Sequence, residues 1–225
     1  MIALSLGEAE ALLRKAARGA GRSWGMAEEC GRTIRWLESY GLAAMALAAD
    51  LLAQTDGVAD TALAPAWAAK GGLIHRGAQP LCPIALGTAL SDHAGAPGAT
   101  GRIGPVLAPL LLLPHLASIA QRHGQAYALT WGESRFVLTA GGALGAHDGP
   151  DLGQRQAAWV AWGPSDTEDA AAALRPHRAH CPSSAYASLN QLAERTFAPE
   201  TEARRQSGAG EAKLSTDAAR PKTEG

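Results

Sequence analysis

A shortage of bulky side chains constrains this chain more than any other feature: 89 of its 225 residues are Ala, Gly or Pro, and 50 of those are Ala. Protein interiors tolerate few voids larger than a water molecule, so a core made of such small groups fills space only where backbones approach closely. Helices faced with Ala meet that demand. At roughly 100–200 residues per domain, the length suits one medium domain or two small ones and needs no disulfide staples.

Charge narrows the function classes. Twenty basic side chains against 21 acidic ones, a net charge of -1 and an isoelectric point near 6.7 lack the cationic excess of a phosphate-tracking surface, so nucleic acid is not an expected partner. The bias to Arg over Lys reads as codon usage and carries no functional weight. Cys30, Cys82 and Cys181 are odd in number and far apart, which argues against a disulfide framework and for a reducing, cytoplasmic location. Glu8, Glu10, Arg14 and Lys15 interrupt any apolar leader. The most apolar run, Val106 to Ala120, contains Pro109, Pro114 and His115 and falls short of the roughly 20 residues a membrane span needs; it reads as a buried helix or helix pair.

Ser5 with Glu8 has the capping-box form, and apolar positions then recur at helical spacing, predicting a first helix over Leu6 to Arg18. A second is predicted over Trp24 to Tyr40, with Trp24, Ala27, Cys30, Gly31, Ile34 and Leu37 on the inner face and Glu28, Arg32, Arg35 and Glu38 on the outer one. A third, Leu42 to Gln54, completes an antiparallel three-helix unit. Leu81 to Leu90 reads as a buried strand. A proline-broken helix follows around Pro105 to Arg122. Gln125 to Trp131 and Ser134 to Ala140 alternate about Gly132-Glu133 as a hairpin. Gln156 to Trp162 reads as a strand, and Asp166 to Leu174 and Ser183 to Arg195 as helices. The expected fold class is α+β: an N-terminal helical unit, a central antiparallel hairpin-based sheet, a C-terminal helix and a disordered polar tail. The expected organisation is one globular domain over residues 1–205, helical over about 5–55 and mixed over about 56–205. Residues 206–225 offer only Leu214 as a large apolar group, too little to offset their ordering entropy.

Chemistry-bearing residues are sparse. His177, His180 and Cys181 are ligand types, but Pro176 and Pro182 bracket them and no further ligand motif accompanies them, so a solvated linker without metal is expected. Ser91-Asp92-His93 has the residue types of a hydrolase triad. Adjacent residues cannot converge as one, and a turn is the simpler reading. Cys30 reads as a small core hydrophobe. The Gly-rich stretches Thr139 to Gly145 and Gly208 to Gly210 do not lie between a strand and a helix, as a dinucleotide fingerprint must, so no cofactor is expected.

Two segments stand out. Gly21 to Glu29 places Trp24 at a helix entrance with Glu28 and Glu29 in the first turns; the carboxylates either complement the helix terminus or serve as an acid or base beside an indole. Glu194 to Arg205 packs alternating charge around Phe197 and Pro199, where Arg204 or Arg205 could clamp an anion.

Ser5 to Glu29, with R-W-L-E-S-Y-G-L (Arg35 to Leu42), P-L-C-P-I-A-L-G (Pro80 to Gly87) and L-N-Q-L-A-E-R-T-F-A-P-E-T-E-A-R-R…G-A-G (Leu189 to Gly210), together resemble an uncharacterised family of bacterial proteins, a domain of unknown function. The resemblance implies a single domain over nearly the whole chain and no particular activity. Trp24, Gly25, Glu28, Glu29, Thr196, Pro199, Glu202 and Arg204 fall in its recognisable segments, without assigned roles. Where the family closes on an acidic Asp-Asn-Asp run, this chain has Gly210 to Asp217, which argues against a metal or active site in the tail.

Two functional readings follow. One is a cytoplasmic accessory or interaction protein, such as a noncatalytic subunit of a metabolic complex, docking a protein partner or a second copy of itself. The alternative is an enzyme acting on a small polar metabolite, with Glu28 and Glu29 as acid/base and Arg204 and Arg205 as anion clamp. Trp24, Thr196 and Glu202 would line either site. A membrane is not an expected partner.

Overall fold

Ser5 and Glu8 form the reciprocal cap that their spacing predicts: Glu8 N–H donates to Ser5 Oγ at 3.2 Å, and Ser5 N–H donates to Glu8 Oε2 at 2.7 Å. The computed structural model describes residues 1–68, 72–93, 99–149, 152–166 and 178–197. Its first half runs β1 (Ile2–Ser5), α1 (Leu6–Gly19), α2 (Trp24–Ser39), α3 (Met45–Gln54), α4 (Asp60–Leu63), β2 (Ala66–Trp67), β3 (Leu73–Ile74) and α5 (Pro83–His93). Then come β4 (Gly101–Ile103), β5 (Val106–Leu107), a 3-10 turn (Pro109–Leu112), α6 (Leu113–His123), β6 (Tyr127–Trp131), β7 (Ser134–Leu138), β8 (Leu144–Asp148), β9 (Gln156–Ala157), β10 (Val160–Pro164), β11 (Arg178–Cys181) and α7 (Ser183–Glu194). The architecture is α+β, with a five-stranded antiparallel sheet in the order β4-β10-β6-β7-β8 and three two-stranded pairings, β1-β11, β2-β3 and β5-β9. Among the described residues no helix is long and apolar enough to cross a membrane.

Small residues set the helix packing. Ala9, Ala16 and Ala17 of α1 and Ala27, Cys30 and Gly31 of α2 are buried. A Cβ at Gly31 would lie 2.9 Å from the Glu10 carbonyl oxygen, so α2 crosses α1 backbone to backbone. The same device joins α1 to the C-terminal helix: a Cβ at Gly19 would fall 1.7 Å from the Leu192 carbonyl oxygen. The main partners of α1 are therefore α2 and α7, whereas α3 packs chiefly on α7. The three-helix unit drawn from the first 55 residues is corrected accordingly: its third member comes from the other end of the chain.

Several local expectations change for physical reasons. Glu38, placed on the outer face of α2, is 3% exposed and caps α3, whose own N-cap, Ala44, has no side-chain acceptor. Glu38 Oε1 accepts from Ala44 N–H at 2.8 Å and Met45 N–H at 3.1 Å, while burial pushes its carboxyl above the usual range. Trp24, expected inward, is instead 70% exposed. Leu81 to Leu90 is mostly helix rather than strand: Pro83 supplies a helical φ at the first position of α5, and a short apolar run carries no period of its own. Gln156 to Trp162 divides between β9 and β10, in different pairings. The break falls where the backbone at Ala158 and Trp159 crosses Gly104, whose Cβ would sit 2.2 Å from the Ala158 carbonyl oxygen. Leu144 to Asp148, for which the sequence carries no strand signal, is the edge strand β8. The predicted hairpin forms as β6 and β7, with Trp131 stacked on Phe136 at 4.9 Å and α6 covering it. The predicted helix over Asp166 to Leu174 lies, beyond Asp166, outside the described residues, as does the tail from Gln206.

Gly-to-Ala substitution inside a helix ordinarily stabilises by roughly 0.5–1 kcal/mol. At Gly19 the sign reverses: overpacking against the Leu192 backbone makes Gly19→Ala destabilising by about 1–3 kcal/mol in urea unfolding. Gly7→Ala, with nothing within 4 Å, serves as the neutral or stabilising control.

Candidate functional site

Arg22 organises the turn between α1 and α2. Gly21 takes the left-handed conformation, φ 89°, and turns Arg22 inward until it is 2% exposed. Its guanidinium donates to the carbonyls of Thr55 at 2.6 Å, Ala20 at 3.3 Å and Val58, and pairs with Asp60 at 3.0 Å. Asp60 Oδ2 also accepts from Ser23 N–H at 3.0 Å, and Ser23 Oγ caps α2 through Met26 N–H. Trp24, the first residue of α2, is thereby held upright at the surface.

Around Trp24 lies a cleft of about 270 Å³ lined by Arg14, Lys15, Arg18, Trp24, Arg195 and Thr196. Arg18 sits 4.5 Å over the indole as a cation–π partner and donates to the Arg22 carbonyl. Arg14 pairs with Glu28 at 3.3 Å, and Arg195 donates from Nη1 to both oxygens of Asp56 at 2.7 and 2.8 Å. Thr196 Oγ donates to the Ala193 carbonyl at 2.7 Å, leaving its lone pairs to accept. Lys15 has no ion pair among the described residues. Four cations thus meet two carboxylates, and the cleft keeps a positive surplus.

The two segments singled out in the sequence are therefore brought together at Trp24 and Thr196. Glu28 joins them only through Arg14. Glu29 faces a different cleft, where it pairs with Arg32 at 2.7 Å. Consecutive residues on a helix project about 100° apart, so the two carboxylates leave α2 in different directions. Glu202, Arg204 and Arg205 lie outside the described residues.

The other candidates separate similarly. His177 is outside the described residues; His180 and Cys181 form part of β11 instead of a linker, one exposed and one buried on opposite faces of the strand. Ser91, Asp92 and His93, expected as a turn, are the last turn of the helix α5. Burial pushes all three thiols above their ordinary range, which suits Cys30 as a core hydrophobe. Among the described residues no group of three or more His, Cys, Asp or Glu is placed to hold a metal ion.

His115 was not singled out as a functional residue. It is 6% exposed, forms the floor of the Glu29 cleft and approaches Thr33 Oγ1 with Nε2 at 3.4 Å. Gly87 of α5 makes room for it, since a Cβ there would lie 2.2 Å from the ring. Its signal in the sequence is a lone imidazole within the most apolar run. An aromatic cavity of about 250 Å³, walled by Trp67, His93, Tyr127 and Trp162, has no local sequence signature because its walls come from four distant segments.

Residues 4–73 match the model of a family described as protein of unknown function (DUF3726). The match runs from the second half of β1 to the start of β3 and contains Arg14, Lys15, Arg18, Trp24, Glu28 and Glu29; Arg195 and Thr196 lie beyond it. No curated protein and no solved structure matches the chain.

Burial lowers the His115 pKa from 6.5 to about 4. The unfolded chain then binds the extra proton between those values, so stability attributable to neutral His115 is present above pH 6.5 and is lost as pH falls towards 4. His115→Gln removes that dependence. The stability difference between wild type and variant should shrink by about 2–3 kcal/mol from pH 7 to 4.5 in urea unfolding; a constant difference contradicts it.

Proposed function

We propose that the protein is a noncatalytic accessory protein that docks an acidic segment of a partner protein on the Trp24 cleft. The observation that carries this reading is the meeting of an exposed indole with four cations from α1 and the end of α7. Trp and Arg are among the residue types that most often anchor protein interfaces, because the indole buries a large rigid surface and the guanidinium presents a planar fork of donors. The opening matters too. A small metabolite is usually enclosed over most of its surface, whereas here the largest group stands free in solvent beside cations spaced one helical turn apart.

The enzyme alternative has less support. Glu28 is engaged by Arg14, Glu29 by Arg32, and the two do not face a common space. A general acid and base must reach one reacting group.

Fluorescence anisotropy with a labelled peptide of Asp and Glu flanking one Phe tests the reading. The peptide should bind with an affinity that falls steeply with salt, and Trp24→Ala and Arg18→Glu should each weaken it at least about tenfold. Trp67→Ala should leave it unchanged. Equal binding of a neutral peptide, or indifference to Trp24 and Arg18, contradicts the proposal.

A further inference from the structure

The cleft on another flank of α2, independent of the reading above, encloses about 340 Å³ between α2, α5 and α6. Its floor is the buried His115–Thr33 pair, and Trp36, packed at a tilt against Tyr40 with ring centroids 4.6 Å apart, forms one wall. Asp92 and Arg122 both line it, yet no ion pair joins them. Arg122 instead donates one N–H to the Ser91 carbonyl at 2.7 Å, which ties the end of α6 to the end of α5 and leaves the rest of its donor fork available. Among the described residues no ion pair or side-chain hydrogen bond engages Asp92. The other charged pair of the lining, Glu29 with Arg32, is already closed at 2.7 Å.

The cleft therefore presents one anionic and one cationic group held apart, with no net charge of its own. Asp92 sits in the last turn of α5, where the negative end of the helix adds to its carboxylate and favours a cation. Thr88 and Ser118 also line the cleft; their hydroxyls donate to the Ile84 and Pro114 carbonyls at 2.8 and 3.1 Å, with Thr88 Oγ1 also 4.0 Å from Met26 Sδ, and each oxygen keeps lone pairs that can accept. Arg122 is the complementary fork for a carboxylate. The uncharged His115 ring offers a hydrogen-bonding floor without adding charge.

We infer that this cleft is a binding site for a small zwitterion of the α-amino-acid class, its ammonium group on Asp92 and the hydroxyl oxygens, its carboxylate on Arg122, and its side chain along Trp36. The volume lies at the small end of ligand pockets, which suits a ligand of this size.

Isothermal titration calorimetry of the whole chain against each proteinogenic amino acid, with the matching decarboxylated amine and deaminated acid, tests the assignment. At least one amino acid should bind saturably below about 10 mM, and its amine and its acid should each bind at least about tenfold more weakly. Asp92→Asn and Arg122→Gln, both at helix ends on the cleft rim, should each weaken it at least about tenfold while circular dichroism stays unchanged. Trp24→Ala should have no effect, which separates this site from the basic cleft. Lack of saturable binding by any of the amino acids, equal binding of the single-charge analogues, or binding that survives both variants overturns the inference.

Discussion

A single buried arginine holds the helical half of the molecule together. Arg22 takes a full charge into the interior, which is tolerable only because Asp60 and the carbonyls of Ala20, Thr55 and Val58 converge on it. Those carbonyls belong to the ends of α1 and α3 and to the connection after α3, groups that a helix terminus leaves without partners. One guanidinium therefore closes two helix ends and fixes the turn between α1 and α2. The same ion pair presents Asp60 to the Ser23 N–H, and so sets where α2 begins and where Trp24 stands. The basic cleft depends on this arrangement.

The second constraint is the one visible in the composition. With few large side chains to fill gaps, the chain relies on close backbone crossings at Gly19, Gly31 and Gly104, each against a carbonyl oxygen. Period and capping signals made α1, α2, the β6–β7 hairpin and α7 legible, because those features are written in residues three, four or two positions apart. The choice of α7 as the partner of α1 was not, since it depends on Gly19 meeting Leu192 across most of the chain. β1 with β11 and β5 with β9 were missed for the same reason: strands of two to four residues carry almost no period, and their partners are remote. Glu38 misled because its helical spacing placed it outside, while the uncapped start of α3 drew it in.

The candidate site was legible in part. Trp24 and Thr196 stood in segments of unusual composition, and the fold brings them to one cleft. Arg14, Lys15 and Arg18 looked like the ordinary polar flank of an amphipathic helix, and only the approach of α7 turns that flank into the wall of a cleft. Glu28 and Glu29 looked like a pair because they are adjacent in sequence. On a helix, adjacency separates them, and α2 becomes a partition with a positive cleft on one flank and a charge-balanced one on the other.

On the proposed reading, the Arg22 network stations Trp24 to receive acidic groups. Heteronuclear NMR of the six tryptophan indole N–H groups during addition of the acidic peptide tests it most directly. A saturable shift of the Trp24 resonance is expected, with those of Trp36, Trp67 and Trp162 unmoved. A Trp24 resonance that stays in place while the peptide binds, or a shift confined to Trp36 or Trp67, would contradict it.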